Sequence, residues 1–112
     1  MSEVVFETLI ANATDLPPGG RVQSEVFDVS GSREVNVTLS IPSTDGSVHW
    51  GIHFGPTTNN GFGQCRSGTF SDHNRIALSV PVFGTGLLVV VENRGQRAES
   101  VNGQVYFIRD LP

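Results

Sequence analysis

Three histidines and one cysteine, His49, His53, His73 and Cys65, hold the clearest claim on metal or nucleophilic chemistry in this 112-residue sequence. His49 and His53 stand four apart, the spacing at which two imidazoles on one face of a helix grip a single ion. Their segment, from Val48 to Phe54, alternates as a strand does instead. Four residues of strand span about 13 Å, well beyond the reach of two nitrogens that must each lie about 2 Å from one zinc. No metal and no cofactor is expected. Cys65 with His73 is the nearest pairing of a nucleophile with a base. No strand-to-helix elbow or helix N-terminus accompanies it to lower the thiol pKa, so Cys65 reads as an inert, half-buried thiol. Asp45, Asp72 and Glu92 supply carboxylates for glycoside cleavage, but no spacing singles out a pair. The chain is expected not to be an enzyme.

A different chemistry concentrates between Gly55 and Arg75, where Asn59, Asn60, Gln64, Arg66, Asp72, His73, Asn74 and Arg75 present planar donors and acceptors suited to sugar hydroxyls. Phe62 offers an aromatic face for the apolar side of a sugar ring, with Phe70 a second candidate. Loops on β-sandwiches commonly host such sites. The functional expectation is therefore a non-enzymatic, lectin-like module that takes carbohydrate through the Gly55–Arg75 region and gains avidity from several copies. The alternative is a structural protein, a component of a phage particle or surface appendage, in which that region only decorates an oligomeric sandwich. His73-Asn74-Arg75 with Trp50 has the residue types of galectin-type lectins but not their order. In that family the three alternate along a strand ahead of the tryptophan, whereas here they are consecutive and Trp50 precedes them, so no residue role carries over.

Composition narrows the partners. Eleven carboxylates against seven basic residues, all arginine, give a net charge of −4, which repels a phosphate backbone and argues against nucleic acid. The absence of lysine excludes Schiff-base chemistry. A single cysteine allows no internal disulfide, so stability must come from apolar burial, for which a 38% hydrophobic content suffices. The N-terminal segment is acidic where a secretory signal is basic, and the longest apolar run, Leu87 to Val91, is far shorter than the roughly 20 residues of a spanning helix. No signal peptide and no membrane insertion are expected. The partners left are carbohydrate or a protein surface.

The elements that must position these residues are strands. Glu34 to Ile41 alternates polar and apolar residues without a break, and no stretch has a helical period, so the expected fold is one all-β domain, an antiparallel β-sandwich of jelly-roll or other Greek-key topology. The pattern predicts seven or eight strands: Val4 to Ile10, Val22 to Val29, Glu34 to Ile41, Val48 to Phe54, a short one near Gln64 to Phe70, Ile76 to Val82, Leu87 to Val91 and Val101 to Arg109. Asn12 to Gly20 is expected as a connection, Asp45-Gly46 as a hairpin, and Asn102-Gly103 as a bulge or turn. Leu87 to Val91 should be covered on both faces. Val5, Leu9, Leu88, Val90, Tyr106 and Ile108 fall opposite the better-defined core face of their strands, which makes those faces too apolar for water and predicts a homo-oligomer.

Overall fold

A computed structural model describes residues 1–42, 46–56, 61–70 and 74–110, the side chain of Asn12 excepted. The described residues form nine strands: β1 (Ser2–Leu16), β2 (Arg21–Gln23), β3 (Phe27–Asp28), β4 (Glu34–Ser40), β5 (Val48–Gly55), β6 (Gly63–Thr69), β7 (Arg75–Pro81), β8 (Gly86–Asn93) and β9 (Glu99–Asp110). They build a sandwich of two antiparallel sheets, β1-β9-β4-β7 against β2-β8-β5-β6, with β3 also paired to β8. Because β2 and β3 both run along β8, they act as one interrupted strand, and the molecule has the eight-strand arrangement of a jelly roll.

Alternation explains the layers. Val35, Val37 and Leu39 of β4 and Val48, Trp50, Ile52 and Phe54 of β5 point into a shared core with Phe107, Val105, Leu16 and Phe70. The β8 run is buried on both faces, as its unbroken apolar character requires: Leu87, Val89 and Val91 face the core, and Leu88 and Val90 are covered on the outside. Trp50 pairs with Gly68 of β6, and its indole lies so close that a β-carbon on Gly68 would sit 2.7 Å from the ring.

The structure departs from the sequence reading in several places, each with a cause. β1 does not stop at Ile10. It passes through an irregular stretch, where Ala13 is left-handed at φ 58° and the Thr14 hydroxyl donates to the Ala11 carbonyl, and it resumes pairing with β9 at Thr14. The predicted connection thus shrinks to Pro17–Gly20, a tight turn with Gly19 at φ 75°. The strand expected from Val22 to Val29 is split. Ser24 bridges the gap by donating its N–H to the Val89 carbonyl and accepting the Val89 N–H on its hydroxyl, each at 2.9 Å. The strands on either side of Asp45-Gly46, β4 and β5, lie in different sheets and do not pair with each other; Asp45 itself is outside the described residues. β9 runs straight through Asn102-Gly103, and the bulge falls opposite, at Leu9 of β1.

That bulge also reverses the faces of β1. Thr8 pairs with Gln104 and Ile10 with Gly103, so Leu9 is the extra residue and the parity of side chains changes there. N-terminal to it, Val5 packs on the core and Val4 and Phe6 face out, the opposite of the sequence reading. Of the residues assigned to uncovered second faces, Leu9, Leu88 and Val90 are buried within the one chain, and only Tyr106 and Ile108 are exposed.

One buried polar side chain ties two connections together. Asn93, at the end of β8, donates its amide to the carbonyls of Leu16 and Arg97 at 3.1 and 2.8 Å and accepts the Gly95 N–H at 2.9 Å. Its backbone pairs with Gly19 and Gly20 of the proline turn. Asn93→Asp keeps the shape but turns a carboxylate oxygen toward two carbonyls, a loss of about 2–4 kcal/mol through unmet buried groups. Chemical denaturation of wild type and variant checks it; an unchanged midpoint would remove Asn93 from this role.

Candidate functional site

The outer face of the β2-β8-β5-β6 sheet carries a depression of about 440 Å³. Strand register builds it in rows. Arg21, Glu92, His49 and Thr69 stand side by side across the four strands, and Gln23, Val90, Gly51 and Ser67 form the next outward row. His53 and Gln64 are opposed on the row beyond. Outward residues alternate with the core-facing Trp50 and Ile52, so the same two-residue period that fills the core places both histidines on this surface with Gly51 between them. Gly51 has no side chain to fill the middle. A β-carbon there would lie 3.0 Å from His53 Nε2 and 3.4 Å from Gln64 Oε1, so those two polar ends lean over the same spot.

Charge in the trough is mixed. Glu92 hydrogen-bonds to Arg94, and that bond and charge, helped by Arg21 and His49, hold its carboxyl below the usual range. Among the described residues no group of three or more His, Cys, Asp or Glu side chains converges as a metal site. Cys65 is the bulged residue of β6, between the Ile52–Arg66 and His53–Gln64 pairs, and packs against the core.

Of the predicted sugar-binding residues that are described, Gln64 alone lines the trough. Arg66 is exposed on the edge strand β6, and Phe62 covers Gly55 at the end of β5. Asn74 and Arg75 lead into the other sheet, where Arg75 lines a separate depression with Ser40 and Asn102. Asn59, Asn60, Asp72 and His73 lie outside the described residues. The trough residues that the sequence did not assign to a ligand site are Arg21, His49, His53 and Glu92, which come from three different strands. Their signal was the polar face of β5, which could be read, whereas its neighbours depend on topology.

The opposite outer face, on β1-β9-β4-β7, is different in character. Val4 opposes Ile108 and Phe6 opposes Tyr106, and these four are 64, 52, 63 and 39% exposed. The rows continue to Asn36 and to Thr8, Gln104 and Thr38, which are uncharged, while the Val4–Ile108 row runs on to the exposed Glu34 of β4. The strip borders β1, whose outer edge is free among the described strands.

The sequence matches no protein-family model and no curated protein. Solved structures do share the fold. The crystal structure of the SPBc2 prophage-derived protein YomS superposes with a TM-score of 0.61 at 17% identity, over 95% of each chain. A subunit of Bacillus endospore appendages, described as disulfide-linked pili, gives 0.62 at 10% identity over 100% of this chain and 92% of its own. PirA gives 0.58 at 14%, over 95% and 92%. The likeness is one of fold.

His53 is the titratable group of the trough that its surroundings move most clearly toward neutrality. Burial, and secondarily the charge of Arg21, lower its pKa from the ordinary 6.5. The folded state therefore resists a proton that the unfolded chain accepts, and the stability tied to His53 is present above about pH 6.5 and lost as pH falls through and below it. Thermal melts between pH 7.5 and 5.5 should fall less steeply for His53→Gln than for wild type; parallel curves would contradict the assignment.

Proposed function

We propose that the chain is a non-catalytic assembly module that packs against further copies of itself through the outer face of the β1-β9-β4-β7 sheet. The observation that carries this reading is the contiguous apolar strip of Val4, Phe6, Tyr106 and Ile108 on two neighbouring strands. With large side chains contributing up to about 150–250 Å² each, it presents on the order of 400 Å² of apolar surface, the scale at which a patch usually serves association. A stable interface takes about 800 Å² per partner, and the polar rows around the strip provide the balance as a rim.

Self-packing through the strip itself brings no like charges together, since Glu34, the outward acid of β4, stands at its margin. The alternative geometry, antiparallel pairing of two β1 edges, does: centred on Val5, it sets Glu3 of one copy against Glu7 of the other. Face-on packing of two such sheets about a twofold axis, about 10 Å apart, avoids that clash and matches strip to strip. The shared fold of a Bacillus pilus subunit and a prophage-derived protein supports an assembly role over the carbohydrate reading as the chain's main task. Cys65, packed on the core, gives no support to nucleophilic chemistry.

Sedimentation or light scattering at about 100 µM should return a mass above one chain for wild type and one chain for Phe6→Glu and Ile108→Glu. Because both side chains are exposed, unfolding free energy should change by less than about 1 kcal/mol. A monomeric wild type, or variants that keep the native mass, would overturn the proposal.

A further inference from the structure

We propose that the trough on the β2-β8-β5-β6 sheet binds a carboxylate-bearing saccharide, on the face of the molecule opposite the assembly strip and independently of it. Every wall of the site except Arg94, just past the end of β8, stands on a strand in unbroken or singly bulged register with its neighbour, so its donors are positioned before any ligand arrives. Its floor is aliphatic at Val90 and backbone at Gly51, and the ends of His53 and Gln64 reach over the Gly51 backbone.

Above that floor the polar groups are those that hydroxyls need. Gln64 Oε1 accepts a hydroxyl proton, and a neutral imidazole at His53 offers one nitrogen that donates and one that accepts. Their ends converge over Gly51, at 3.0 and 3.4 Å from the point a side chain there would occupy. One sugar hydroxyl seated above this point meets a donor and an acceptor together. His49 stands two residues away on the other side of Gly51, about 13 Å of strand from His53 at its base. That distance, with a depression of about 440 Å³, fits one ring and part of a second and far exceeds the needs of an inorganic anion.

Charge selects the class of sugar. Glu92 is hydrogen-bonded by Arg94, and Arg21, opposite Glu92 in register, adds a second guanidinium to the row, so one positive charge is left in excess there. A planar fork of this kind holds a carboxylate through two parallel hydrogen bonds. Arg21 therefore fixes the acid group, and His53 and Gln64 fix the ring hydroxyls.

The test is an amide NMR titration of the full chain with methyl glucuronide and the methyl glycoside of N-acetylneuraminic acid, with methyl glucoside and inorganic phosphate alongside. At least one acidic glycoside should move the Gly51 and Gln64 resonances at millimolar concentration, with methyl glucoside at least fivefold weaker. Arg21→Gln should abolish that difference, and Gln64→Ala should weaken both sugars while the rest of the spectrum stays folded. Silence of the trough resonances toward both acidic sugars would overturn the proposal, as would equal response to the neutral sugar, saturation by phosphate alone, or wild-type selectivity in Arg21→Gln.

Discussion

The strand β8 is hydrogen-bonded along both edges, to β5 on one side and to β2 and β3 on the other, and it is apolar on both faces. In a two-layer sandwich the inner face finds a core, but the outer face meets water unless something covers it. Here Leu88 and Val90 are buried all the same, with the polar His53 beside Leu88 and Gln23 beside Val90 in register. Gly51, beside Val90 on β5, carries no side chain of its own, and the ends of His53 and Gln64 stand over it. The trough lies among these polar side chains, on the outer surface of the sheet that β8 centres.

How much of this was legible depends on whether a residue's fate is set by its own strand or by its neighbours. β4, β5 and β8 could be read directly, since Val35, Val37 and Leu39, the Val48 to Phe54 alternation and the Leu87 to Val91 run state their burial in their own period. β1 could not. Its alternation continues across Leu9 as if the strand were regular, and only the pairing of Thr8 with Gln104 and Ile10 with Gly103 reveals the extra residue that turns Phe6 outward. The same limit misled the reading of Asp45-Gly46: a turn dipeptide predicts a tight reversal, but a reversal joins strands of one sheet or of two with equal ease, and this connection crosses the sandwich.

The candidate site illustrates the limit at larger scale. Residues close in sequence between Gly55 and Arg75 suggested a binding loop, yet the jelly-roll connection from β6 to β7 passes from one sheet to the other and carries Gln64 and Arg75 to opposite outer faces. A sheet face collects every second residue from several strands, so Arg21, His49, Gln64 and Glu92 meet through register rather than proximity along the chain. The geometry that denies His49 and His53 a shared metal, four residues of extended chain, is what sets them at the two ends of one trough.

The placement of the two surfaces gives them a joint consequence. The apolar strip belongs to one sheet and the trough to the other, so copies that pack through the strip leave every trough facing away from the interface. A shallow polar site with one guanidinium and a few hydroxyl partners binds weakly by itself, since each hydrogen bond exchanges with water for a net gain of only about 1 kcal/mol. Outward repetition on an assembly turns such contacts into intramolecular ones at effective concentrations of order millimolar, raising apparent affinity by about 10²–10⁴ toward a surface that carries many copies of the same acidic sugar. Assembly and recognition then need no allosteric link: the sandwich separates them by its own thickness, and strengthening either leaves the other's geometry intact.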